Sequence, residues 1–470
     1  MSIFKAYDIR GTVPDEINET VASRFGKAYA EFLIQKNSGA KKKLSIAVGM
    51  DNRVSSPALH AEVIRAVRES GIDVIDIGLA STPFYYFAVS YLGLNGGIMV
   101  TASHNPPEFN GFKPVLSRAA PLGSESGLKD IEVFYTSVIP DQNMGSGTIS
   151  LQKLSQTPYS SLGDLSSREI LSEYINANLS FAPPKDLQNL TVAVDVGNGV
   201  SSLMCAALFD RLSCKLIPLF FELDGTFPNH MPNPLIEENI KILKNTVREK
   251  GADVGIAFDA DGDRSIFIDE KGETIPADLM TALVAGELLT LYPKEHILYD
   301  LRSSWAVKEA ITAAGGTPSV CRVGHAFIKK QMMDEHALFA GEVSGHFYLR
   351  FADFGYFEAP LVVTLLVLNL LTRTGKPLSE LIKPFKTYFS TGEINFTVAD
   401  KSTILQNIET HYADAQNIAH LDGVSIEYTD WWCNVRASNT ENLLRLNLEA
   451  KTSKLRDEKL AELTQIIQNK

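Results

Sequence analysis

Cysteine is scarce. The 470 residues hold four, at positions 205, 214, 321 and 433, with no CxxC or Cys/His spacing among them. Neither a disulfide framework nor a structural zinc site is therefore expected. The first residues lack the apolar core of a secretory leader. The greasiest run, 359–371, is broken by Pro360, Thr364 and Asn369 and falls short of the roughly 20 residues a bilayer span needs. It reads as a buried helix, and a cytoplasmic location is expected. Basic residues are outnumbered, 44 against 56, for a net charge of −12. That balance argues against a nucleic-acid partner, while leaving room for a basic pocket around a small anion.

The hydrophobic share of 45% suits packed cores, and this length suggests about three to four domains. Three segments share one plan. The first has strands over 44–48, 74–77 and 98–101, a turn at Asp51-Asn52-Arg53 and a helix from Ser56. In the second, strands over 191–194, 215–219 and 254–258 surround a helix with apolar positions Ile236, Ile240, Leu243 and Val247. The third places strands over 297–299, 319–322 and 338–340 around Asp300-Leu301-Arg302 and a helix from Trp305. Strands alternating with helices predict mixed α/β sheets, and open sheets bind ligands beyond the carboxyl ends of their strands. The remainder reads as an antiparallel α+β domain. The expected domains are 1–155, 156–271, 272–385 and 386–470, with the Ser/Gly/Gln-rich stretch 137–161 as a connector.

Polar loops follow the strand ends. Asp259-Ala260-Asp261-Gly262-Asp263-Arg264 offers three hard oxygen donors within five residues, a set suited to Mg²⁺. An EF-hand competes because Glu270 stands at the twelfth position, but Arg264 sits where that loop needs glycine and the flanks read as strands. Thr101-Ala102-Ser103-His104-Asn105-Pro106 puts a serine at a strand end, before prolines that stiffen the loop. Neighbours in sequence such as Ser103 and His104 rarely act as nucleophile and base, so a plain polar turn competes. Lys113 follows shortly downstream. Arg436-Ala437-Ser438-Asn439-Thr440 combines a guanidinium with short polar side chains in a turn, which suits a phosphate. Glu342, Ser344 and His346 form a trio able to grip sugar hydroxyls, or merely to cap a loop.

Together these loops, in this order and at domain-sized spacings, resemble the α-D-phosphohexomutase superfamily over essentially the whole chain. The Tyr7-Asp8-Ile9-Arg10-Gly11 stretch adds to the likeness. Gly341-Glu342-Val343-Ser344-Gly345-His346 and Arg436–Glu441 look most like its phosphomannomutase/phosphoglucomutase branch. The resemblance implies three similar mixed α/β domains with loops converging on a central cleft, plus the α+β domain. It implies a phosphoserine at Ser103, which also ligates a Mg²⁺ held by Asp259, Asp261 and Asp263. The implied reaction interconverts hexose 6-phosphate and hexose 1-phosphate, mannose before glucose, through a 1,6-bisphosphate that also serves as activator. His104, Lys113, Arg10 and Arg264 join Ser103 as implied catalytic residues. Glu342, Ser344, His346, Arg302, His325, Arg436, Ser438, Asn439, Thr440 and Arg445 are the implied substrate contacts. Arg10 and Lys113 are candidates for the proton acceptor, although a guanidinium is a poor base. Arg302 stands where some relatives have lysine, which changes the donor geometry.

Arg53 is expected to pair with carboxylates or phosphates, and the cleft to be locally positive. A phosphoglucomutase as main activity, a metal-dependent sugar phosphatase and a silent sugar-phosphate binding protein are the rival readings. The expected partner is a small sugar phosphate, with neither nucleic acid nor membrane, and the chain is expected as monomer or homodimer.

Overall fold

The computed structural model describes residues 2–39, 42–137, 161–437 and 443–468, with backbone alone at 139–140 and 149–150. The first sheet runs, edge to edge, Ile9–Thr12, Phe109–Leu116, Gly96–Val100, Ser45–Met50, Asp73–Leu79 and Leu165–Ser167. Ser45–Met50 is parallel to its neighbours on both sides, while Phe109–Leu116 runs back antiparallel beside Gly96–Val100. The edge strand Leu165–Ser167 joins this sheet from beyond residue 155, so the chain returns to the first unit before entering the second. The connector expected at 137–161 lies largely outside the described residues.

The second and third sheets repeat the arrangement. Thr191–Asp195 lies between parallel Lys215–Leu219 and Val254–Phe258, and Ser265–Ile268 returns antiparallel. His296–Asp300 likewise lies between parallel Thr317–Cys321 and Phe339–Gly341, with Phe347–Phe351 returning. In each unit the first strand of the plan is central, and the chain crosses first to one side and then to the other. Helices consequently cover both faces, and a crevice opens at the strands' carboxyl ends. All five residues of Val254–Phe258 are buried, which is why such strands read as unbroken apolar runs.

The fourth sheet is antiparallel throughout, in the order Phe389–Thr397, Leu443–Ala450, Trp431–Ala437, Val424–Glu427 and Asn417–Ala419. Helices Lys401–His411 and Ser453–Gln468 pack Ile404, Ile408, Leu463 and Ile467 into its core with Val435 and Leu446.

Several sequence expectations change here. Ile236 is 49% exposed, because the α-helix starts only at Lys241 after a 3-10 turn over Glu237–Ile240. Helix Glu19–Lys36, capped by the Asn18 side chain on the Val21 N–H, carries no clean apolar stripe and was not foreseen. Arg436 and Ala437, expected in a turn, lie within the strand Trp431–Ala437. Helix Pro360–Thr374 is buried along nearly all its length, as a core helix is. Among the described residues no single helix is long and apolar enough to cross a membrane.

Candidate active site

Loops from all four sheets meet at one cleft. Beyond Gly96–Val100 the chain turns through Ser103, whose φ of 52° lies in the left-handed region that costs a side chain energy. The Arg53 guanidinium holds it there. Nη2 donates to the carbonyls of Ser103 (2.6 Å) and Asn105 (2.7 Å), Nη1 to those of Pro106 (2.7 Å) and Phe109 (3.1 Å). Its Nε donates to Asp51 at 3.0 Å. The partners expected for Arg53 were carboxylates or phosphates; most of them are backbone carbonyls. Only a planar fork of several N–H groups reaches so many acceptors at once. Ser103 Oγ, itself buried, donates to Asp259 Oδ2 at 3.1 Å and lies 3.3 Å from His104 Nδ1. The turn thus brings the adjacent serine and histidine together after all. Burial, then Arg264 and Arg10, push the His104 pKa well down, which leaves a neutral imidazole.

The acidic loop sits opposite. Asp259, Asp261 and Asp263 each offer an oxygen, all within 4.8 Å of one another and all buried. Gly262, at φ +69°, lets the loop reverse so tightly. Thr82 Oγ1 (2.6 Å) and Lys113 Nζ (2.7 Å) both donate to Asp261 Oδ2, and Lys113 also reaches Asp263 at 2.7 Å. Burial favours the neutral amine, but Asp261 and Asp263 outweigh it and keep Lys113 protonated. Asp259 is pushed well up, first by burial and then by Asp263 and Asp261. Asp261 Oδ1 is buried with no hydrogen-bond partner. Crowded carboxylates with an orphaned oxygen fit a hard divalent cation. An EF-hand is excluded, since the flanks are the antiparallel strands Val254–Phe258 and Ser265–Ile268 and Glu270 accepts from Ser379.

The third loop docks on the second. Arg264 bridges to His346 in a β-like pair, and Ser265 N–H donates to Gly345 at 3.0 Å. Arg264 Nε lies 3.2 Å from His346 Nε2 and 3.7 Å from Asp259. His346 stands between Asp263 (3.2 Å) and Glu342 (3.0 Å), with Ser344 Oγ 2.8 Å from Nδ1. Burial alone would lower the His346 pKa; the two carboxylates win and raise it to about 9, so the ring is an imidazolium. Two protonated nitrogens leave it no lone pair for Arg264, and the contact between them is one of proximity. Glu342 also accepts from Tyr348 at 3.0 Å and pairs with Arg302 at 3.4 Å.

Arg302 in turn clasps Asp300 and lies 3.6 Å from Glu393 of the fourth sheet. Glu393 accepts from Arg436 at 2.6 Å and pairs with Arg445 at 3.3 Å. Ser438, Asn439 and Thr440, expected beside them, lie outside the described residues. Arg10 donates to Asn105 (2.6 Å) and Asp8 (2.5 Å), next to the serine loop. His325 opens helix His325–Glu335 and stands edge-on to Tyr7 with both ring nitrogens buried and unpartnered. Burial, then Lys329 and Lys113, hold it neutral.

The structure does not bear out a cationic cleft. Asp8 neutralises Arg10, Asp261 and Asp263 neutralise Lys113, and Asp300, Glu342 and Glu393 surround Arg302. Buried cations need such partners because an uncompensated charge away from water is costly. Sequence reasoning missed Asn105, Thr82, Tyr348 and Glu393, and the loop-clamping role of Arg53. One signal was available. The central strands end in Asp51, Asp195 and Asp300, and each aspartate accepts from the N–H two residues on. Each also holds a cationic or imidazole partner, respectively Arg53, His230 and Arg302.

Comparison with known proteins agrees with this geometry. The chain matches the phosphoglucomutase/phosphomannomutase alpha/beta/alpha domains I, II and III over residues 1–138, 171–272 and 276–388, and the C-terminal domain over 393–465. A Salmonella montevideo phosphomannomutase is 38% identical, covering 96% of this chain and 95% of its own. The phosphohexose mutases of Xanthomonas campestris pv. campestris strain B100 are 37% identical over 95% of each chain. A solved phosphoglucomutase/phosphomannomutase family protein from Burkholderia thailandensis superposes with a TM-score of 0.86 at 28% identity, covering 99% of this chain and 97% of that one. With four matching domains in order and full-length relatives, the chain belongs to the phosphoglucomutase/phosphomannomutase family and is a phosphohexomutase, an enzyme that interconverts hexose phosphates.

Proposed function

We propose that the protein interconverts mannose 6-phosphate and mannose 1-phosphate by way of a phosphorylated Ser103, and that glucose phosphates are accepted as a second substrate. The observation that carries this reading is the 3.1 Å contact of Ser103 Oγ with Asp259, inside the buried aspartate triad. Asp259, Asp261 and Asp263 would hold Mg²⁺, with Ser103 as a further ligand. A divalent cation there supplies positive charge beside the serine-bound phosphoryl group.

Phosphoryl transfer needs in-line positioning and charge stabilisation more than covalent help. The free hydroxyl of the hexose phosphate attacks the phosphorus and gives up its proton, the P–Oγ bond of Ser103 breaks, a proton returns to Oγ, and a hexose 1,6-bisphosphate results. The bisphosphate turns over, and Ser103 Oγ takes the other phosphoryl group while its proton passes to the neutral His104 ring 3.3 Å away. A trace of the same bisphosphate would activate an unphosphorylated enzyme. Lys113, Arg264 and Arg10 stabilise developing charge; the protonated Lys113 serves as a proton donor before it can serve as a base. Glu342, Ser344 and His346 grip sugar hydroxyls common to both poses. Arg302, Arg436 and Arg445, with Ser438, Asn439 and Thr440, take the phosphate that does not react, and His325 offers the substrate two ring nitrogens that have no partner.

The relatives named for phosphomannomutase activity support mannose, and those named phosphohexose mutases support the second substrate. The test compares turnover of mannose 1-phosphate and glucose 1-phosphate with a trace of hexose 1,6-bisphosphate. The expected result is 6-phosphate product from both, with the higher kcat/KM on mannose. Release of inorganic phosphate without 6-phosphate product would overturn the reading in favour of a phosphatase.

A further inference from the structure

Glu393 occupies an unusual position. The ladder between Phe389–Thr397 and Leu443–Ala450 slips register between Ser390 and Glu393, and Gly392 within the slip has φ +64°. A bulge of this kind re-aims the side chain that follows it. Here it carries a carboxylate to a cluster of guanidinium groups. Arg436 and Arg445 are directly opposed across their strand pair, a placement in which like charges repel. The Glu393 carboxylate meets both, and it also faces Arg302 of the third unit across the cleft.

The fit is uneven. The Arg436 contact of 2.6 Å is that of a strong charge-assisted hydrogen bond, Arg445 donates a longer one at 3.3 Å, and Arg302 at 3.6 Å stands too far for any. One carboxylate is shared among three guanidinium groups here, although Arg302 also draws on Asp300 and Glu342. A phosphate monoester brings three oxygens and roughly −1.5 to −2 charge.

We propose that Glu393 is a displaceable internal anion, which holds Arg302, Arg436 and Arg445 until the phosphate of an arriving hexose phosphate takes its place. The proposal rests on the phosphate-site reading given above and deepens it. Glu393 keeps the cluster assembled and offsets part of its charge in the free enzyme, and it competes with every anion that enters. Because Arg302 and Glu393 belong to different domains, the exchange also decides when the third and fourth units part.

The test uses the full-length Glu393→Gln enzyme, which keeps the shape and loses the charge, with inorganic phosphate as a competitive inhibitor of hexose 1-phosphate turnover. The inhibition constant for phosphate is expected to fall about two- to fivefold, the range of one partly exposed ion pair. Glu393→Asp, which retains the charge, should restore it towards the wild-type value and serves if the glutamine variant fails to fold. A merely structural Glu393 predicts the opposite sign, a higher inhibition constant together with a higher KM. That outcome, or an unchanged constant, overturns the proposal. Arg436→Gln separates the two layers of the argument. If it leaves KM for the hexose phosphate unchanged, the phosphate-site reading itself fails. If KM rises at least about tenfold while Glu393→Gln leaves phosphate inhibition untouched, only the displaceable anion fails.

Discussion

Ser103 and Asp259 are separated by 156 positions in the chain and by 3.1 Å between Oγ and Oδ2. The serine lies in the loop after a strand of the first sheet, and the aspartate directly follows a strand of the second. Their meeting joins the two domains at this point, and it sets a hydroxyl beside the buried aspartates that could hold a cation.

Ser103→Ala should abolish turnover, by about three orders of magnitude or more, since no other group there offers a phosphoryl acceptor. Thermal unfolding should shift little, because a buried hydroxyl contributes only about 1 kcal/mol. Incubation with labelled hexose 1,6-bisphosphate should label the wild type and leave the variant unlabelled.

Removal of divalent cations should silence the enzyme reversibly. Chelation followed by titration with Mg²⁺ should restore activity and raise Tm together, by about 2.7 kcal/mol of stability at a hundred times Kd. Asp261→Asn, which alters the oxygen left without a partner, should weaken Mg²⁺ binding measured by calorimetry.

Arg53 should act through the serine loop. Arg53→Ala strands Asp51 without its buried partner and should cost about 3–5 kcal/mol of stability. The milder Arg53→Lys keeps the charge but loses the fork; kcat should fall by about a hundredfold with KM within about threefold. Added guanidinium should partly restore Arg53→Ala turnover, a response that general destabilisation does not give.

His230 should make stability depend on pH. Burial lowers its pKa, but the hydrogen bond and charge of Asp195 outweigh that and raise it above the ordinary value. A raised folded pKa means that the contribution is complete below about pH 6.5 and fades as pH climbs through the folded value. His230→Gln should therefore lower Tm more at pH 5.5 than at pH 8.5, by differential scanning calorimetry.

Much of this was legible in the sequence. The aspartate loop, the serine loop and the sugar loop each announce themselves as dense polar clusters after apolar strands, and the mixed sheets follow from alternating strands and helices. Glu393 gave no such sign. It lies within a strand of unremarkable composition, and its importance comes from a register slip that only the folded ladder reveals. Arg53 was visible as a cation, but its carbonyl partners come from a loop some fifty positions away. Ion pairing across the cleft was equally hidden, because charge counted along a chain says nothing about which groups fold together.

The aspartates that close the three central strands behave as identical sockets. In the first unit the socket seats the residue that grips the nucleophile's loop, in the second an imidazole, and in the third the arginine that looks across to the C-terminal domain. Swapping what is plugged into such a socket reassigns a whole domain while its scaffold stays the same. An engineer wishing to change what this enzyme accepts would start at Arg302, the plug that reaches both Glu342 of its own domain and Glu393 of the next.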